Sequence, residues 1–169
     1  GMRQRFGIAQ ALIGNPRIII VDEPTAGLDP EERNRFNNLL SEIGEQVVVI
    51  LSTHIVDDVT DLCPRMAIMV DGRIVSQGTP AVLIQELRGL VWTRSIPKAE
   101  LDAARAEWDV IATRLRGGQT VIHVLSQDRP GPGFDPLDAG LEDVYFSTLH
   151  RERNANRKAG IPAAAAAHA

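Results

Sequence analysis

Ile18-Ile19-Ile20-Val21-Asp22-Glu23-Pro24-Thr25-Ala26-Gly27-Leu28-Asp29-Pro30 is the stretch where an apolar run gives way to charged chemistry. Arg17 to Asp22 is short, continuous and rich in β-branched residues, which predicts a strand buried on both faces of a parallel sheet. Pro24 to Pro30 reads as a loop. Asp29-Pro30 then supplies an N-cap and a first-turn proline, so a helix is expected from Pro30 to Ile43 with Phe36, Leu39, Leu40 and Ile43 on one face. Two carboxylates, Asp22 and Glu23, therefore sit where a strand leaves its sheet. Ligands bind beyond the carboxyl ends of strands in open parallel sheets. A carboxylate there suits a magnesium ion, which takes one or two protein oxygens with phosphate and water. A second carboxylate beside it can polarise a water for in-line attack. Taken alone, the same pair also fits a solvated strand end.

Working outward, Met2 to Ile13 carries Phe6, Ile8, Ala9, Leu12 and Ile13 at helical spacing and stops at Gly14-Asn15-Pro16. Val47 to Leu51 is a second apolar strand, followed by Ser52-Thr53-His54 and a short acidic helix from Ile55 to Leu62. Asp71-Gly72 between Met66–Val70 and Arg73–Ser76 is a two-residue hairpin signal, and Thr79-Pro80 opens a helix to about Leu87. Alternating strands and helices predict an α/β fold with a mainly parallel sheet flanked by helices.

Beyond Gly89 the pattern changes. A strand (Leu90 to Ile96), a helix (Pro97 to Glu107), a hairpin through Gly117-Gly118 and a helix from Leu141 to Arg153 predict a small α+β accessory module. Trp92 and Trp108 are expected in its core, and the Pro- and Gly-containing stretch from Asp128 to Asp138 is expected as a loop. The organisation expected is therefore residues 1–88, residues 89–153, and a disordered tail over 154–169.

At Asp22-Glu23, Ala26-Gly27-Leu28-Asp29 and His54, thirty-two positions after Asp22, the chain resembles the ABC-transporter nucleotide-binding domain, a P-loop NTPase-type fold. Ile18 to Glu23 looks like its Walker B strand, Ala26 to Asp29 like its D-loop and His54 like its switch histidine. Gly1-Met2-Arg3-Gln4-Arg5 resembles the end of the family signature. The resemblance implies that Asp22 coordinates Mg²⁺, Glu23 acts as general base or orients the water, and His54 contacts the γ-phosphate. It further implies that Asp29 lies at the seam of a head-to-tail dimer around ATP, and that Gly1 faces the nucleotide of the other ATPase subunit. No G-x-x-x-x-G-K-[ST] phosphate loop occurs in the 169 residues, so the natural product is expected to be longer and this chain alone inactive. Asp71 to Pro80 resembles the segment after the switch histidine in transporter ATPases. Leu141-Glu142-Asp143-Val144-Tyr145-Phe146 is similar to the C-terminal extension of multidrug and antibiotic exporter ATPases.

The implied partners are a transmembrane permease and a second ATPase subunit, at the cytoplasmic face of the membrane. A non-transport ABC ATPase and a non-catalytic fragment or regulatory module are the other two readings. The net charge of −4 gives no electrostatic case for nucleic acid or anionic lipid as the main partner. The single cysteine, Cys63, excludes an internal disulfide. No apolar run approaches the ~20 residues of a membrane span, so contact with the membrane is expected only through the permease. His123 and His150 lack metal-ligand spacing.

Overall fold

A computed structural model describes residues 2–158 of the chain, which divides into two compact units, Gly1–Pro64 and Arg65–Ala169. The class is α/β. In the first unit the elements are α1 (Met2–Leu12), β1 (Ile18–Asp22), α2 (Pro30–Gly44), β2 (Val48–Ser52) and α3 (Val56–Leu62). Strands β1 and β2 pair in parallel, with Ile18 opposite Val48 and Asp22 opposite Ser52. This is the one parallel pairing among the described residues; the other two sheets are antiparallel.

Ile8, Phe36 and Leu40 form the core of this unit, with Leu12, Val21, Leu28, Ile43, Val49 and Leu62 packed against them. Helices and strands thus meet on the face carrying Val21 and Val49. The stripe expected on α1 narrows to Ile8 and Leu12, an i,i+4 pair; Phe6 and Ile13 are 72% and 79% exposed. Helix α2 starts as its residues dictate: the Asp29 carboxylate accepts the Glu32 N–H at 2.8 Å, Pro30 occupies the first turn, and Glu31 and Glu32 face the positive helix end.

Burial of β1 on both faces does not hold. Ile18, Ile20, Val48 and Ile50 are each more than half exposed, because side chains alternate along a strand and only one side of this two-stranded sheet is covered.

The second unit contains β3 (Met66–Val70), β4 (Arg73–Gly78), α4 (Pro80–Gln85), β5 (Val91–Ile96), a 3₁₀ turn (Lys98–Glu100), α5 (Leu101–Glu107), β6 (Val110–Arg116), β7 (Gln119–Leu125), β8 (Asp135–Pro136) and α6 (Leu141–Lys158). Strands β3 and β4 form the expected hairpin. Asp71 and Gly72 both have positive φ (49° and 74°), the backbone that a two-residue turn requires. Strands β6, β7, β5 and β8 lie in that order in an antiparallel sheet. Its core is Ile96, Ala104, Ile122, Val124 and Phe134, with Trp92 and Trp108 packed against it.

Three boundaries differ from expectation. The division between units falls after Pro64 rather than residue 88, because α6 packs on β3, β4 and α4 as well as on β6 and draws them into the second unit. Strand β8 adds an edge pairing with Trp92 and Thr93 inside the stretch expected as loop. Helix α6 runs through Lys158, five residues into the expected tail; residues 159–169 lie outside the described residues. Among the described residues no helix is long and apolar enough to cross a membrane.

The bare face of β1–β2 sets an expected outcome. Exposed contiguous apolar surface drives association, so sedimentation of the chain should show concentration-dependent self-association, and Ile20→Lys with Ile50→Lys should weaken it at least several-fold. A wild-type chain that stays monomeric at all concentrations would contradict this.

Candidate functional site

The parallel register brings the ends of β1 and β2 together and, with them, two separated stretches of sequence. Asp22 and Ser52 are register partners, and the Ser52 hydroxyl donates to Asp22 Oδ1. One residue on, the Glu23 N–H donates to the Ser52 carbonyl at 2.8 Å. Glu23 then leaves the sheet with φ of 44°, a left-handed backbone that costs a non-glycine residue about 1–2 kcal/mol. That turn aims its carboxylate back across the strand ends. Its Oε1 accepts the His54 backbone N–H at 3.0 Å and lies 2.7 Å from His54 Nδ1, while its Oε2 accepts the Thr53 hydroxyl at 3.4 Å. Thr53 Oγ1 in turn accepts the Ile55 N–H at 3.0 Å.

The arrangement leaves reactive groups facing outward. The His54 side chain is 74% exposed and the Glu23 side chain 35%. With Nδ1 against Glu23, Nε2 is the ring nitrogen left to meet a ligand. Asp22, Glu23 and His54 therefore meet at one sheet edge. Asp29 is placed differently: its side chain caps α2, and among the described residues no hydrogen bond or ion pair joins it to the other three. Gly1 lies outside the described residues.

Oxygen donors are what a hard cation needs, and Asp22 beside the Ser52 hydroxyl supplies them. Among the described residues no three His, Cys, Asp or Glu side chains cluster tightly enough to cage a metal. The donor set fits Mg²⁺ carried with phosphate, which completes its shell with phosphate oxygens and water.

The chain is 36% identical over 165 residues to Nod factor export ATP-binding protein I of Burkholderia thailandensis, covering 90% of this chain and 53% of that protein. It is 31% identical over 140 residues to methionine import ATP-binding protein MetN of Carboxydothermus hydrogenoformans, covering 75% and 42%. It is also 28% identical over 174 residues to the uncharacterized ABC transporter ATP-binding protein YxlF of Bacillus subtilis, covering 89% and 56%. By sequence, these residues belong to the ABC transporter ATP-binding family. The chain spans about half the length of the curated relatives it matches. Among solved structures, cbiO1 of Clostridium perfringens, part of the ABC transporter complex cbiONQ, is 38% identical, covers 48% of this chain and 34% of that one, and has a TM-score of 0.44. No family model matches.

Beneath the exposed edge of this ABC chain lies a buried polar cluster that the motif reading passed over. Asp58 on α3 is 1% exposed and Thr25 is fully buried; the Thr25 hydroxyl donates to Asp58 Oδ2. Asn37 Nδ2, on α2, donates to Asp58 Oδ1 at 3.4 Å, and Arg33 Nε lies 3.7 Å from the same oxygen. A signal for it exists in the sequence: Asp58 stands four residues before Leu62, a core residue, so the two share the inward face of α3. The lone Cys63 is half-buried and carries no disulfide. Burial, and then the nearby Asp58 carboxylate, push its thiol pKa above the ordinary value.

In the second unit a pairing unforeseen from spacing joins sheet to helix. His123 Nδ1 on β7 lies 2.7 Å from Asp143 Oδ1 on α6, and Asp143 Oδ2 accepts the Gly140 N–H at 2.9 Å. Burial works against the Asp143 charge more than any other single influence. The His123 hydrogen bond, the Gly140 N–H and the charges of His123 and Arg114 together outweigh it and hold its pKa below the ordinary aspartate value. A carboxylate depressed on folding contributes stability above its unfolded pKa and loses it as pH falls through the folded one. Asp143→Asn should therefore lower unfolding stability by on the order of 1–3 kcal/mol at neutral pH, with the gap to wild type closing below about pH 4. Both tryptophans lie in this unit, so urea unfolding followed by tryptophan fluorescence across pH 3–7 reads the difference. A gap that persists at the acid end would contradict the assignment.

Proposed function

We propose that this chain carries the Walker B, D-loop and switch-histidine part of an ATP-hydrolysing subunit that powers an ABC transporter. The observation that carries the reading is the Glu23–His54 contact at 2.7 Å, formed beside Asp22 by residues more than thirty positions apart in sequence. Such a contact holds a carboxylate and an imidazole in register at the edge where nucleotides meet a parallel sheet. Bound ATP would supply the phosphoryl group, and Mg²⁺ positive charge to stabilise it.

On this reading Asp22, with the Ser52 hydroxyl beside it, would hold Mg²⁺. Glu23 accepts a proton from the attacking water or orients it, fixed in place by Thr53 and the His54 backbone. His54 keeps Nδ1 on Glu23 and directs Nε2 toward the γ-phosphate. Asp29 both caps α2 and lies at the seam with a second ATPase subunit, and Gly1 ahead of α1 faces that subunit's nucleotide. The permease would be a separate transmembrane protein, and the chain would work at the cytoplasmic face.

Export is the direction proposed. It is supported by Leu141 to Phe146 and by coverage: Nod factor export proteins match 90% of this chain, against 75% for a methionine import protein. The roles proposed assign the ATPase part to residues 1–88, of which 65–88 pack within the second compact unit, and an accessory module to residues 89–153.

Phosphoryl transfer depends on positioning the phosphates, and no phosphate-loop motif occurs within these 169 residues. The chain alone should hydrolyse Mg-ATP negligibly. Joined to a phosphate-binding half, it should turn ATP over, and Glu23→Gln should lower kcat by about 10²–10⁴-fold. Steady turnover by the chain alone that disappears in Glu23→Gln would refute the dependence on that half. Full activity of Glu23→Gln in the joined protein would refute the role of Glu23.

A further inference from the structure

Three segments carry the candidate site residues: the loop that begins at Glu23, helix α2 capped by Asp29, and the turn at His54 that leads into α3. Each of them also sends a side chain to a single buried group. Thr25, two residues past Glu23, donates its hydroxyl to Asp58 Oδ2. On α2, Asn37 donates to Asp58 Oδ1 at 3.4 Å, with Arg33 Nε 3.7 Å away. Asp58 itself lies four residues past His54, on α3.

We infer that Asp58 is a positioning residue whose buried carboxylate ties the Glu23 loop, α2 and the His54 turn together, so that the Glu23–His54 contact depends on it. The relevance to hydrolysis rests on the ATPase reading above; the positioning itself does not.

The physical case is one of constraint. Glu23 sits in a strained left-handed backbone that persists only where the surroundings over-determine it. Its own fixings are the Ser52 carbonyl, at one end of the turn, and the Ala26 N–H donating to the Glu23 carbonyl at 3.2 Å. Thr25 is the fully buried residue of that turn, and its hydroxyl is held by Asp58. Remove the carboxylate, and the Thr25 hydroxyl, the Asn37 amide and Arg33 Nε are left buried without it. Buried polar networks are costly when partly satisfied, and here the relaxation open to them is movement of the loop away from α3. That movement pulls Glu23 off His54. The two links are distinct in kind: the Glu23–His54 contact lies in solvent, whereas the Thr25–Asp58 contact lies in the interior and sets the spacing of the segments above it.

The test is nitrogen-15 NMR of the histidine side chains in the complete 169-residue chain without nucleotide. His54 is assigned by comparison with His54→Gln. In mildly alkaline buffer, wild-type His54 should hold a proton on Nδ1, donated to Glu23. Asp58→Asn and Thr25→Val should both lose that signature and return His54 to a solvent-like tautomer mixture. Thr25→Ser, which keeps the hydroxyl, should retain it. His123, in the other unit, should be unchanged in all three.

Folded Asp58→Asn and Thr25→Val chains with wild-type His54 spectra would overturn the inference. So would loss of the amide dispersion of residues 2–64 in both, because the cluster would then support the fold without setting the contact. If Asp58→Asn alone fails to fold, Thr25→Val decides. With no nucleotide present, a chain that never hydrolysed ATP would give the same answer, so failure of the ATPase reading and failure of this inference remain separate.

Discussion

The parallel register of β1 and β2 is the constraint on which the site depends. It sets Asp22 opposite Ser52, and because both strands end there, the residues that follow each strand emerge side by side. Side chains alternate with a period of two, so a slip of β2 by one residue would turn Val49 out of the core and bring Val48 and Ile50 in. It would also carry Ser52 away from Asp22 and the Glu23 carboxylate away from His54. Packing of Phe36 and Leu40 against one face of the pair therefore does two jobs. It stabilises the first unit, and it fixes a polar geometry at an edge that water alone would not organise.

The two units stand in different physical states. The second has a closed core of its own, in which Trp108 meets Phe134 edge-on at 4.9 Å and the Arg94 guanidinium lies 5.5 Å and 5.4 Å from the two rings. The first covers only one side of its sheet. A continuous apolar run such as Ile18 to Val21 is the composition of a strand covered on both sides, and here it is half satisfied. The strand composition and the observed exposure disagree in the direction of a surface that would be more stable with something upon it.

Much of this was legible in the residues. Helix caps such as Asp29-Pro30 and Thr79-Pro80, and turns such as Asp71-Gly72, act through their nearest neighbours, so the elements they bound fell close to where they were expected. Asp22, Glu23 and His54 were nameable because their motif stretches are local, even though their meeting is not. What escaped was long-range and side-chain mediated. Nothing in the neighbourhood of His123 announces Asp143, twenty positions on, and Thr25 gives no sign of Asp58 thirty-three positions away. The unit boundary escaped for the same reason: α6 gathers β3, β4 and α4 by packing, which no linker composition near Pro64 reports.

The most direct measurement of the central claim is a double-mutant cycle between Glu23→Gln and His54→Ala, read as kcat for ATP in the chain joined to a phosphate-binding half. Residues that act as one unit are strongly non-additive. The account requires each single change to lower kcat and the double variant to be little worse than the poorer single. Losses that simply multiply, or a His54→Ala protein that turns over like wild type, would contradict it.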